Sequence, residues 1–265
     1  MRRSTFLFSV ASALAAQTSS PTDDELWQHY ERWTESLAAL PPGQKAFAGA
    51  RFQQFLIAQG VSKEEAAARY ERIEKLRRGS PAREKVYWDA AFKLGGGPDD
   101  PLRLLQEAVR KVKPGRALDP AMGRGRNAIW LASQGWDVTG YDISTGAIAQ
   151  AKAYATEARV AINAVEASHE TFDFGANQWD LIVCSYNFMA VRDPKLAVTF
   201  HRALKLNGLV VWQSSLEKFT AEEILGNWKQ FRLLRFEHLD AGAVDDDWAP
   251  SRTFPTFRLV VRKEN

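Results

Sequence analysis

The stretch 116–144, RALDPAMGRGRNAIWLASQGWDVTGYDIS, limits the fold of this chain more than any other part of it. A short apolar run, Ala117 and Leu118, ends in Asp119. A turn of small residues follows, with Ala121, Gly123 and Gly125. Residues 127–132 read as a helix, and a second apolar strand, 138–141, ends in Asp142. Strand, glycine turn, helix, strand and acid, in that order, outline a unit that binds a nucleoside. Glycine lets the backbone approach a ligand closely, and a helix start offers it free N–H groups. An acid at the end of the second strand can accept hydrogen bonds from both ribose hydroxyls.

The run LDPAMGRGRNAIWLASQGWDVTGYDIS resembles motifs I and II of the class I S-adenosylmethionine-dependent methyltransferases. In particular it is similar to the small bacterial methyltransferases of the tellurite-resistance type. The resemblance is close over 118–144 and loose over 100–262. It implies S-adenosyl-L-methionine as cofactor, held by Asp119, Ala121, Met122, Gly123, Gly125, Arg126, Asn127, Tyr141, Asp142 and Ile143. The family's turn reads D-x-G-x-G-x-G, and its first glycine is Ala121 here. Alanine fits poorly wherever φ is positive. The family also carries an aspartate after the third strand, facing the adenine amino group. That position is Ser168 here, with His169 beside it, and serine accepts a hydrogen bond without a charge. A tyrosine–tryptophan pair ahead of the core, here Tyr87 and Trp88, lies near the cofactor in the family; plain core packing is the alternative. The same glycines also read as G-x-G-x-x-A (Gly123, Gly125, Ala128), a weak nicotinamide-dinucleotide signal when alone.

Composition bounds the other readings. The chain has 265 residues, 45% hydrophobic and 25% charged, as for an ordinary globular protein with one α/β domain and an extra segment. Its 35 basic and 32 acidic residues leave a net charge of +3, too balanced for a nucleic-acid footprint. A single cysteine, Cys184, rules out an intramolecular disulfide, and the four histidines lack metal-binding spacing, so no metal is expected.

The first twenty residues carry Arg2 and Arg3, an apolar run from Phe6 and a small-x-small pattern at 13–15. They read as an export signal too short to span a bilayer as a helix. A periplasmic or other extracytoplasmic location follows if the signal is used, a cytoplasmic one if it is not. The mature chain is expected to have no stable membrane insertion. Residues 23–98 read as a helical cap. Helices are expected at 24–40 and at 45–59, the latter with Phe47 on its apolar face and Gly60 as C-cap. A third, ending near 78, would start with a capping box of Ser62 and Glu65, and a fourth at Ser80 and Pro81. The run 95–98, GGGP, reads as a flexible break. Asp100 and Pro101 then open a helix to 111.

Residues 99–265 form the expected methyltransferase domain. Ser144 N-caps a helix over 145–157, and strands follow at 161–165 and 179–186. The fourth strand is a continuous apolar run whose carboxyl end opens at the crevice, so Ser185, Tyr186 and Asn187 are candidates to face the transferred methyl group. Asp193 and Pro194 start a helix over 195–204. A turn at 206–208, with Asn207 left-handed, leads to a strand at 209–213. Strands at 231–239 and 254–262 close the chain around an acidic loop, 240–250. The expected fold is α/β: a Rossmann-like, seven-stranded, mostly parallel sheet with an antiparallel C-terminal strand pair, preceded by an α-helical N-terminal segment. The resembling family ends in such a pair, which favours methyl transfer over hydride transfer; the acceptor is expected to be a small molecule, with Tyr186 and His169 as the first groups to test as a base and no catalytic residue assigned. Two alternatives stay open. One is a nicotinamide-dependent oxidoreductase, on the G-x-G-x-x-A pattern. The other is a non-catalytic binding protein on the same scaffold, on Ala121, Ser168 and the export signal.

Overall fold

The structure, a computed structural model, describes residues 20–41, 43–187, 194–215, 220–240 and 255–264. The export-signal segment 1–19, the helix start at Asp193 and the acidic loop from 241 onward lie outside the described residues.

A seven-stranded sheet forms the centre, in the order β3-β2-β1-β4-β5-β7-β6. Its strands are β1 (Arg116–Pro120), β2 (Asp137–Asp142), β3 (Asn163–Glu166), β4 (Trp179–Ser185), β5 (Leu204–Ser215), β6 (Arg232–Leu239) and β7 (Thr256–Arg262). The first five run parallel, and β7 lies antiparallel between β5 and β6. The order reverses between β1 and β4, and in an open α/β sheet the ligand crevice lies outside the strand ends at that reversal. Alternate residues of each strand feed opposite faces. Ala117, Val138 and Leu181 pack under α5 (Arg103–Val109), α6 (Arg126–Ser133) and α7 (Thr145–Glu157). Leu118, Ile182 and Trp212 pack under α8 (Pro194–Ala203) and α9 (Ala221–Asn227).

The buried residues of a third core come from α1 (Asp23–Ser36), α2 (Ala48–Ala58), α3 (Lys63–Arg77), α4 (Pro81–Lys93) and the residue that follows α4. Tyr30, Phe52 and Tyr87 lie inside it. The half-buried Arg77 donates to Glu74 and Glu84 at 2.8 Å each and lies 4.2 Å over the Tyr87 ring. The Tyr87 hydroxyl meets that of Tyr70 at 3.0 Å. No helix among the described residues is long and apolar enough to cross a membrane.

Several element ends differ from the sequence reading. α1 stops at Ser36 because Leu37 turns extended, and the Leu40 N–H donates to the Lys93 carbonyl on α4 at 3.2 Å. Proline at 41 also disfavours a helical Leu40. α2 starts only at Ala48. Phe47 is its extended N-cap, 47% exposed rather than on the buried face, and Ala46 N–H is held by the Leu94 carbonyl. Ser62 does accept the Glu65 N–H, but the Glu65 carboxylate takes Arg69 at 2.8 Å, so only half of the capping box forms. Full boxes occur at Thr22/Glu25 and Thr220/Glu223, which the sequence reading passed over along with α9. The run 95–97 is a packed turn. Gly95 has φ +73°, and a Cβ there would lie 2.4 Å from the Gln44 carbonyl oxygen. α5 begins at Arg103, without a side-chain cap from Asp100. β5 extends back to Leu204. The expected turn is a bulge within it, where left-handed Asn207 (φ +65°) donates to the Lys263 carbonyl at 2.8 Å.

Candidate functional site

The glycine turn between β1 and α6 gathers most of the expected residues. Ala121 has φ +53°, Gly123 +56° and Gly125 +81°, the last as the left-handed N-cap of α6. Met122 N–H donates to the Tyr141 carbonyl at 2.9 Å, tying the turn to β2. Gly123 N–H donates to Asp142 Oδ2 at 2.8 Å, and Ser144 N–H to Asp142 Oδ1 at 2.9 Å. Burial pushes the Asp142 carboxyl up to about 6, while these N–H donors pull the other way. Asp119 is 1% exposed, and its Oδ2 has no hydrogen-bond partner among the described residues. Burial pushes its carboxyl up to about 7, opposed by the Arg126 charge and the Ala128 N–H.

Arg126 reaches across the strand ends. It donates to Ser185 Oγ at 2.8 Å and to the Asp100 carbonyl at 2.7 Å, so two expected site residues meet. Asn127 turns inward instead, and its buried Oδ1 accepts the Leu102 N–H at 2.9 Å at the start of α5.

A part-buried polar chain joins the ends of β2, β3 and β4. The Tyr141 hydroxyl lies 2.6 Å from His169 Nδ1, and His169 Nε2 lies 3.0 Å from Asn187 Oδ1. An amide oxygen can only accept, so Nε2 carries the proton and Nδ1 accepts from Tyr141. Burial keeps the imidazole below its ordinary range and so neutral. Both ring nitrogens are engaged in these contacts. Ser168 lies in a short turn, its N–H donating to Thr171 Oγ1 at 3.0 Å. Tyr186 follows β4 with φ +54°, unusual for an aromatic residue. Its N–H donates to the Gln213 carbonyl at 2.8 Å, and its hydroxyl accepts from Gln213 Nε2 at 3.3 Å.

Of the pair ahead of the core, Tyr87 is packed into the helical cluster. Trp88 donates to Glu84 at 2.9 Å and has its ring 6.1 Å from that of Phe92. Three further residues of α4 meet the loops of the site. Phe92 lies where a Cβ on Gly123 would come within 3.0 Å of its ring. Asp89 Oδ1 accepts from Ser144 Oγ at 2.5 Å and from Gly146 N–H at 3.0 Å. Lys85 donates to the Ile143 carbonyl at 3.3 Å, to Glu166 Oε1 at 2.7 Å and to Thr145 Oγ1. Lys85, Asp89 and Phe92 follow an i, i+4, i+7 spacing, which marks one helix face in the sequence. Their mixed character hid that face from an apolar count.

Residues 117–208 match the methyltransferase domain family. Over those residues the chain carries a methyltransferase domain, similar to those of the class I S-adenosylmethionine-dependent type. Among curated proteins it is similar to the ribosomal RNA small subunit methyltransferase C of Alcanivorax borkumensis, with 36% identity over 67 residues. The match covers 24% of this chain and only 21% of that relative. Among solved structures, one reported for the conversion of a disulfide bond into a thioacetal group during echinomycin biosynthesis superposes with a TM-score of 0.55 at 17% identity. That superposition covers 68% of this chain and 93% of the other. TehB from Haemophilus influenzae superposes with a TM-score of 0.51 at 19% identity, covering 60% of this chain and 61% of TehB. At these identities both show a shared fold. The seven-stranded sheet with its antiparallel end is thus a fold shared with these structures, and the cofactor of the matched methyltransferase domain is S-adenosyl-L-methionine.

Proposed function

We propose that the chain transfers a methyl group from S-adenosyl-L-methionine to a small-molecule acceptor. The observation that carries this reading is the wall α4 builds against the glycine turn, with Phe92 on Gly123 and Asp89 on Ser144. A crevice bounded by a second helical layer suits an acceptor that enters whole. The balanced charge supports the same reading, since RNA calls for a basic face.

The residues present fit the cofactor. The unpartnered, buried Asp119 oxygen suits a cationic group. The Asp142 oxygens each accept one backbone N–H and keep a further lone pair for a ribose hydroxyl. Gly123 and Gly125 keep the turn free of side chains. The cofactor brings an already activated methyl group, so the protein's task is to hold the acceptor in line and exclude water. Arg126 and Ser185 brace the crevice at the β4 end. We assign Tyr186 to the acceptor side, positioned by Gln213 and, behind it, by Arg258, which donates to Gln213 at 2.9 Å. His169 orients Asn187 and moves no proton.

Calorimetry with S-adenosylmethionine, S-adenosylhomocysteine and NAD tests the reading, followed by transfer assays on small thiols, hydroxyls and amines and on ribosomal RNA. Both sulfur nucleosides are expected to bind, and NAD is not. Failure of both to bind rejects the reading, and turnover on RNA alone moves the acceptor to that class. Binding without turnover on any acceptor supports a non-catalytic role. The positive φ of Ala121 at the first glycine position is the observation in favour of that second reading.

A further inference from the structure

Three side chains of α4 touch three separate parts of the nucleoside site. Phe92 meets the glycine turn, Asp89 the loop after β2, and Lys85 both that loop and the end of β3. The Asp89 contact is the most directed. Its Oδ1 takes the Ser144 hydroxyl and the Gly146 N–H, and the Ser144 N–H in turn donates to Asp142 Oδ1. A carboxylate from the helical segment is thus one residue removed from the carboxylate expected to hold the ribose. Lys85 clamps the same loop from the other side, through the Ile143 carbonyl, Thr145 and Glu166.

We infer that Asp89 and Lys85 are positioning residues of the nucleoside site, through which helix α4 sets the orientation and the charge of Asp142. This rests on the nucleoside reading of the site given above. A carboxylate that must accept two hydroxyls works only if its own plane is fixed, and neighbouring groups that fix it count in binding as strongly as direct contacts. Asp142 is fixed by two N–H donors, and Asp89 holds the loop that supplies one of them. The charged groups around Asp142 are Asp89 and Lys85 from α4, Asp119 from β1 and Glu166 from β3. Asp89 adds to burial in keeping the Asp142 carboxyl high, and Lys85 lies 3.9 Å from Asp89 as its partial counter-charge.

The test is calorimetry of S-adenosylhomocysteine with the full chain across pH, alongside thermal melts. Wild-type affinity is expected to fall as pH drops through about 6, as Asp142 takes up a proton. Asp89→Asn should weaken binding by about tenfold and move that midpoint to lower pH, because a negative neighbour is gone. Asp89→Glu should return the midpoint toward the wild-type value. Lys85→Met should move it the opposite way, to higher pH. A helix-packing role alone would lower the melting temperature and leave both midpoints in place. Unchanged affinity and midpoint in a cooperatively melting Asp89→Asn overturn the inference. Should that variant fail to fold, an unmoved midpoint in Lys85→Met overturns it equally. A wild-type chain that binds no sulfur nucleoside rejects the methyltransferase reading itself, and the inference with it.

Discussion

Asp119 is sealed inside the protein with one oxygen that meets no donor among the described residues. A carboxyl raised from 3.8 to about 7 by burial contributes stability that is fully present below the lower value and is lost as pH rises through the higher. Melts of Asp119→Asn against wild type should therefore diverge in the variant's favour between about pH 5 and about pH 8. Equal differences at both ends would mean that Asp119 is charged in the folded chain. For Asp142→Ala we expect S-adenosylhomocysteine to bind more weakly by about 1–3 kcal/mol, read by calorimetry. Ala121 is held left-handed, so Ala121→Gly should raise stability to urea by about 0.5 kcal/mol, the chirality strain less the entropy of glycine. At this scale the sequence was informative where a residue type has few uses. The pair Asp119 and Asp142 and the strained alanine were all readable from strand ends and a glycine turn. The inward turn of Asn127 and the sequestered ring of His169 were not, because each depends on a partner distant in the chain, Leu102 for one and Asn187 for the other.

Elements follow the same division. Strands with apolar runs and helices with serine caps emerged within a few residues of their expected bounds. The errors fall where another element supplies the hydrogen bonds, as at Leu40 and Ala46, whose N–H groups are taken by carbonyls at the end of α4 and just beyond it. The glycines after α4 were misread as a flexible break because a packed turn and a loose one share a composition. The distinction has a measurable consequence. Gly95→Ala should destabilise the chain by more than about 1 kcal/mol, from positive φ and from a Cβ driven against the Gln44 carbonyl; a true linker would absorb the change within about 0.5 kcal/mol. In the helical cluster, Arg77→Met strands Glu74 and Glu84 beside two tyrosines. We expect a loss of about 1–3 kcal/mol by chemical denaturation, more than for an exposed pair.

Across the whole molecule, the seven-stranded, mostly parallel sheet and its antiparallel ending were legible because motif, strand count and terminal pair all point to one architecture. The relation between the helical segment and the sheet was not, since the contacts of Lys85, Asp89 and Phe92 are mixed in character and sparse in sequence. The helical segment has a core of its own, yet it meets the sheet domain through the residues that shape the nucleoside loop. The sole thiol of the chain, Cys184, is fully buried in β4 at the centre of that sheet. Burial also raises its thiol well above the ordinary range, so in the closed protein it is both out of reach and protonated. A thiol reagent can therefore modify the chain only when the sheet opens, and the protein carries its own single-site clock for that event. Its rate of modification counts openings of the native state one molecule at a time, without any label being engineered in. A ligand that closes the crevice should slow that clock in proportion to its occupancy.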